Sequence, residues 1–223
     1  TISKLGYRDT TITYTGTEET RKIHLPRKVF ALDEAVGIYS KKRGRFNAGF
    51  LVSKSQRTHS RNLGNFFMAL PYQMSLVPGA GTQGKLSSQV VNKVSINLIG
   101  GYTGGTRGAE IAGIFNINKK NTEYFQAAGL FNTVLGSVKG IQMSGLYNTV
   151  ADSLNGFQAG GLFNTVWGIA SGAQISGAYN YTGGNLTGIQ ISGAVSRVED
   201  TLSGIQIAGI VNSAGHLSGL QVG

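Results

Sequence analysis

A single 16-residue period governs the second half of this 223-residue chain. Gly108 opens Gly-Ala-Glu-Ile-Ala-Gly-Ile-Phe-Asn, and Tyr124 opens Tyr-Phe-Gln-Ala-Ala-Gly-Leu-Phe-Asn sixteen residues later. Gly140, Gly156, Gly172, Gly188 and Gly204 open further copies at the same spacing, and Gly219 opens a last one after 15 residues. Such a period is the signature of a stacked array, because one short repeat cannot bury a face alone.

Four columns carry the repeat. The third position is Glu110 and then Gln126, Gln142, Gln158, Gln174, Gln190, Gln206 and Gln221. The sixth is Gly, from Gly113 to Gly209. The eighth is bulky: Phe115, Phe131, Tyr147, Phe163, Tyr179, Val195 and Val211. The ninth is Asn116, Asn132, Asn148, Asn164, Asn180, Ser196 and Asn212. The second half of each copy is looser, with Val134, Val150, Val166 and Val198 in one column and Val138, Leu154, Leu186 and Leu202 in another. Gly136, Asp152, Gly168, Gly184 and Asp200 lie between these columns, where a turn belongs.

The alternation within each copy has the strand period. The pattern therefore predicts an all-β fold, a β-solenoid of 16-residue coils. In-register stacking would set Gln over Gln and Asn over Asn as amide ladders. A Gly recurring at one place marks a bend or a close approach of backbone. A membrane β-barrel is the competing architecture, but its neighbouring strands run antiparallel and would not align identical residues. Helical repeats are longer and tolerate little Gly, of which this chain has 34.

The predicted organisation has three parts. Residues 96–223 form the solenoid, with Ile96–Tyr102 as a degenerate first repeat that caps it. Residues 31–95 form a basic connecting and capping region. Residues 1–30 read as the last strands of a β-sandwich, with a turn at Gly16-Thr17-Glu18. The charge divides the same way. All of the +10 net charge arises before residue 96, since the remainder balances five basic residues against five acids. Lys41, Lys42, Arg43, Arg45, Lys54, Arg57 and Arg61 follow one another without an acid. They are candidates for contact with an anionic membrane surface. A solvated charged face is the plainer alternative, and nucleic acid the weakest.

Little here suggests catalysis. There is no Cys, and the three His are scattered, so neither a thiolate nor a His-rich metal set is expected, and no cofactor. Gly79-Ala-Gly-Thr-Gln-Gly-Lys85 resembles a phosphate loop, but Leu86 stands where Ser or Thr would hold the metal. It reads as an ordinary turn before a strand from Ser87 to Leu98.

The Gly-φ-Gln-φ-Ser/Ala-Gly-Leu-Phe/Tyr-Asn repeat resembles the surface-repeat proteins of Bacteroidetes and some spirochaetes. Leu86–Gly105 looks like the lead-in to such repeats, and Ile2-Ser-Lys-Leu-Gly-Tyr-Arg-Asp-Thr resembles the final strands of a carboxypeptidase-regulatory-like sandwich. The resemblance implies the outer membrane or cell surface of a Gram-negative bacterium, other outer-membrane proteins as partners, and no activity. The expected function is a non-enzymatic structural and interaction scaffold. The alternative is a glycan- or nutrient-binding module that uses the Gln and aromatic columns as a recognition strip.

Overall fold

Each 16-residue copy makes one coil of two strands, and successive coils pair in parallel. The computed structural model describes residues 51–62 and 67–223, with the side chains of residues 59–62 excepted. The expected sandwich end, the segment after it, and Lys41, Lys42, Arg43 and Arg45 lie outside the described residues, as does the Arg61 side chain.

In chain order, helix α1 (Lys54–Asn62) precedes strands β1 (Met68–Val77) and β2 (Ala80–Gly81), a 3-10 segment (Gly84–Gln89), and strands β3 (Val90–Asn97) and β4 (Gly100–Thr103). Long and short strands then alternate: β5 (Gly105–Ala112), β6 (Phe115–Asn118), β7 (Thr122–Ala128), β8 (Phe131–Val134), β9 (Val138–Ser144) and β10 (Tyr147–Val150). They continue as β11 (Leu154–Gly160), β12 (Phe163–Val166), β13 (Ala170–Ser176), β14 (Tyr179–Thr182) and β15 (Leu186–Ser192). β16 (Val195–Ala208) and β17 (Val211–Val222) each run through a short and a long position.

Long strands pair with long strands and short with short, always in parallel. The register aligns like residues: Gln158 with Gln142 and Gln174, and Asn148 with Asn132 and Asn164. The chain is thus a β-solenoid, and the antiparallel barrel is ruled out.

Parallel pairing also reaches further back than the repeat spacing indicates. β1 pairs with β3 from Met68↔Val90 to Ser75↔Asn97, and β3 pairs with β5. Residues 68–95 are therefore coil, not only connection, and Ile96–Tyr102 is interior to the stack rather than its cap. The spacing misleads because Met68 and Val90 lie 22 residues apart. The columns nevertheless persist: Tyr72-Gln73-Met74-Ser75 stands in register where Ile141-Gln142-Met143-Ser144 stands later. Beside the first short strand lies the 3-10 segment, held by α1 through Gln56 Nε2, which donates to Ser87 Oγ at 3.0 Å. The phosphate-loop-like stretch is a tight antiparallel turn between β1 and β2, followed by that 3-10 segment and β3.

Two turns close each coil. At the first, Gly129, Gly145 and their equivalents sit against the preceding coil: a Cβ on Gly145 would lie 2.1 Å from the Gly129 carbonyl oxygen. At the second, residues such as Gly136 and Asp152 lead into the next long strand. The interior divides accordingly. Near the second turn it is aliphatic: Val134, Val138, Val150, Leu154, Val166, Leu186, Val198 and Leu202 form one buried cluster. Near the first turn it is filled by amides.

Candidate functional site

The amide half of the interior is built from side chains that in-register stacking forces on top of one another. Every Gln from Gln126 to Gln206 has no exposed surface. From Gln142 onward each donates from Nε2 to the Oε1 of the Gln one coil earlier, at 2.7–2.9 Å, and Gln221 extends the ladder to Gln206 at 2.6 Å. The donors all point toward the N-terminal end. The ladder ends on Glu110, whose Oε2 accepts from Gln126 at 2.9 Å and from Asn118 at 2.7 Å. Thr106 Oγ1 and Asn97 Nδ2 complete its shell. A carboxylate, which only accepts, is the natural terminus for a chain of amides that all donate toward it. Burial raises the Glu110 pKa above its ordinary value, and the hydrogen bonds from Asn118, Gln126, Thr106 and Asn97 work against that rise.

The Asn ladder runs the opposite way. Nδ2 of Asn97, Asn116, Asn132, Asn148 and Asn164 donates to the Oδ1 of the next Asn toward the C-terminal end, at 2.9–3.0 Å. The second hydrogen of each amide is used as well: Asn116, Asn132, Asn148 and Asn164 reach the carbonyls of Ala127, Met143, Ala159 and Ile175 in the facing long strands. The Asn column thus ties the two sheets together across the interior. Ser196 interrupts the ladder and bonds Ser192 instead, and Asn212 donates to the Val222 carbonyl.

These geometries overturn the recognition-strip reading of the Gln column. Side chains without exposed surface cannot meet a glycan, and their amide groups are already committed to one another. The physical reason is satisfaction: stacked amides meet each other's hydrogen-bonding needs, so their burial is not penalised as an unpaired amide's would be.

The exterior over this amide half is apolar. Long strands alternate, so the residues flanking each buried Gln point outward. One row runs Tyr72, Val94, Ala109, Phe125, Ile141, Phe157, Ala173, Ile189, Ile205, Leu220. A second runs Met74, Ile96, Ile111, Ala127, Met143, Ala159, Ile175, Ile191, Ile207, Val222. A third follows the first turn: Ile114, Leu130, Leu146, Leu162, Ala178, Ala194, Ile210. None of these residues is buried, none is charged, and the Tyr72 hydroxyl is their one polar side-chain group. Ten long strands make the strip about 43 Å long. Its area, on the order of 600 Å² or more, reaches the largest apolar patch a soluble monomer ordinarily exposes. A shallow cavity of about 730 Å³ opens in it where Ala127, Ala159, Gly160 and Gly161 leave room between Phe125, Met143 and Ile175.

Polar residues border the strip on the side of the second turn. The row Arg107, Glu123, Lys139, Asn155, Ser171, Thr187, Ser203, Ser218 faces outward there, and Lys93 is exposed one coil earlier, at the break in register opposite Arg107 and Gly108. Between border and strip lies the column of Gly140, Gly156, Gly172, Gly188 and Gly204, with φ between +125° and +144°. Tyr124 occupies this column with φ +74°, the one non-Gly residue with positive φ among those described.

The aromatic column lies on the outer face of the short sheet. Phe115, Phe131 and Tyr147 stack with ring centroids 5.3 and 4.8 Å apart, and Leu51 and Val52 pack over them. Burial lifts the Tyr147 phenol to about 12. Beyond that cover, Phe163 is 43% exposed, and Trp167, Tyr179 and Tyr181 cluster near the Arg197–Glu199 ion pair. Of the sequence's basic candidates, Lys54 and Arg57 are exposed on α1. The apolar strip escaped the sequence reading; the signal was present in the two residues that flank every Gln.

No family model, curated protein or solved structure matches the chain. No helix among the described residues is long and apolar enough to cross a membrane.

Proposed function

We propose that the chain is a non-enzymatic scaffold at the outer membrane or cell surface of a Gram-negative bacterium, working in a complex with other outer-membrane proteins. One observation carries this reading: an uncharged apolar strip about 43 Å long, held flat by a hydrogen-bonded sheet. A strip of that size exposed to water favours association. The chain's polar side chains support a structural role too, since the Gln and Asn columns are consumed in cross-linking coils. The resemblance of the repeats to bacterial surface-repeat proteins supports the location.

The test is fractionation of cells that express the natural full-length protein. The expected result is sedimentation with the outer membrane and release by detergent but not by high salt. Recovery in the soluble fraction would contradict the reading.

The glycan alternative keeps one footing, moved from the Gln column to Phe163, Trp167, Tyr179 and Tyr181, where aromatic faces lie beside charged groups. Trp167 is the single Trp of the chain. Its fluorescence should change on adding surface oligosaccharides if that reading holds, and stay constant if it does not.

A further inference from the structure

We infer that the apolar strip beds into a lipid surface, with Tyr124 and the basic residues Lys93, Arg107 and Lys139 at the level of anionic headgroups. The inference deepens the envelope reading by naming what the strip meets, and rests on it only in that a lipid surface must be near.

The chemistry of the strip selects the occupant. A non-obligate protein interface carries about one hydrogen bond per 100–200 Å² and is about as apolar as ordinary surface. The strip offers almost nothing of that kind. Its side chains are aliphatic or aromatic, and the main chain beneath them is already paired in parallel ladders on both sides. A protein partner would find no group to set its register, whereas hydrocarbon asks for none. An element that lies in a membrane interface has this form: an apolar face, a polar border, and cations at the boundary.

The border supplies the complementary charge. Arg107 and Lys139 are exposed in one row, with Glu123 as the single acid between them, and Lys93 is exposed one coil earlier, at the break in register opposite Arg107 and Gly108. The row lies next to the strip, so its cations can reach anionic headgroups while the strip is submerged.

Tyr124 is an independent observation. Its column is Gly in the following coils, and its φ of +74° is costly for any residue with a Cβ. A residue kept in such a conformation points to a function for its side chain. That side chain is 71% exposed and stands between the basic row and the strip. A half-apolar ring with a hydroxyl tip is the group enriched at the boundary of water and lipid.

The experiment is flotation of the purified full chain with vesicles of phosphatidylethanolamine and phosphatidylglycerol in equal parts. Wild type should float. Ile141→Asp combined with Met143→Asp and Ile175→Asp should reduce the bound fraction about tenfold or more, since charge on a lipid-facing surface is strongly disfavoured. Asn155→Asp combined with Ser171→Asp adds charge on the neighbouring row and separates charge from burial: it should weaken flotation with the anionic vesicles but leave flotation with purely zwitterionic ones unchanged, whereas the Asp triple variant loses both. Circular dichroism of all variants checks the fold, and the exposed sites make its retention expected. Lys93→Gln, Arg107→Gln and Lys139→Gln together should abolish the preference for anionic over purely zwitterionic vesicles. Undiminished flotation of the folded Asp triple variant would overturn the inference. So would a wild type that stays with the aqueous phase, or one that forms a dimer broken by the Asp triple variant, which would assign the strip to a second copy. Failure of flotation with membrane sedimentation intact in cells would leave the envelope reading standing with a protein over the strip. Flotation by a protein that fractionates as soluble in cells would do the reverse.

Discussion

The two ends of each coil solve the same burial problem in opposite ways. Near the second turn, Val150, Leu154 and Leu186 are inside and Lys139, Asp152 and Ser171 face out, the ordinary arrangement of a soluble protein. Near the first turn the order is inverted: Gln142 and Asn148 are inside, while Ile141, Met143 and Leu146 face out. The difference teaches that stacking in register changes what can be buried. A lone Gln in a core is costly, but a column of them supplies its own partners, coil after coil. That freedom releases the exterior from its usual obligation to be polar.

The two ends should respond differently to mutation, and the largest contrast lies between their apolar residues. Leu186→Ala removes side-chain volume from the closed aliphatic interior and should cost about 2–5 kcal/mol. Ile175→Ala removes a similar bulk from the exterior strip and should cost under about 1 kcal/mol. Chemical denaturation of both variants measures the gap; equal costs would break the comparison.

The amide end has its own fragile point. Gln158→Leu leaves Gln174 without its acceptor and Gln142 without its donor, both within the interior. The expected loss is about 2–4 kcal/mol, from two buried groups left unpaired. Met143→Gln, on the outside, should stay within about 0.5 kcal/mol of wild type. The same denaturation series decides this, and a tolerated Gln158→Leu would mean that the ladder contributes nothing.

Glu110 sharpens the comparison through pH. It is a carboxylate among amides, and burial raises its folded pKa above 4.5. A raised folded pKa means that the folded state binds the proton more tightly than the unfolded chain does. The stabilisation is therefore full below the unfolded pKa and is lost as pH rises through the folded one. Unfolding measured between those limits should show stability falling by up to about 1.4 kcal/mol per pH unit. Glu110→Gln should flatten that slope, and an unchanged slope would assign the titration elsewhere.

The smallest effect is expected at Tyr124, the one side chain in the Gly column. Tyr124→Gly relieves a left-handed φ but adds freedom to the unfolded chain, so stability should rise by no more than about 1 kcal/mol. Gly140→Ala should instead destabilise strongly, because its Cβ would lie 2.2 Å from the Tyr124 carbonyl oxygen. Thermal unfolding of the pair tests whether Tyr124 is retained at the expense of stability.

The coil itself was legible in the sequence, because constant spacing of Gln126, Gln142 and Gln158 fixes parallel, in-register pairing once strands are assumed. The ladders followed from the same columns. Sidedness was not legible. Strand alternation says that Gln142 and Met143 face opposite ways, but hydrophobicity alone would send Met143 inward, and the structure sends Gln142 there. What decides is the partner one coil away, which a single repeat does not display. The early coil was hidden for a different reason: 22 residues separate Met68 from Val90, and the turn and 3-10 segment between them break the spacing while Gln73 keeps its place. The border of Arg107 and Lys139 was also invisible, since those residues are far apart along the chain and meet only through the register.

The central claim is the inverted sidedness of the amide end, and one pair of neighbours tests it directly. The chain has no Cys, so a single introduced thiol reports alone. Ile175 is 39% exposed and Ser176 is 7% exposed, and Ser→Cys is nearly isosteric. In detergent-free aqueous solution, a water-soluble maleimide should label Ile175→Cys rapidly and Ser176→Cys only on unfolding. Because a shift of one residue turns every side chain to the opposite face, rapid labelling at 176 with protection at 175 would contradict the account.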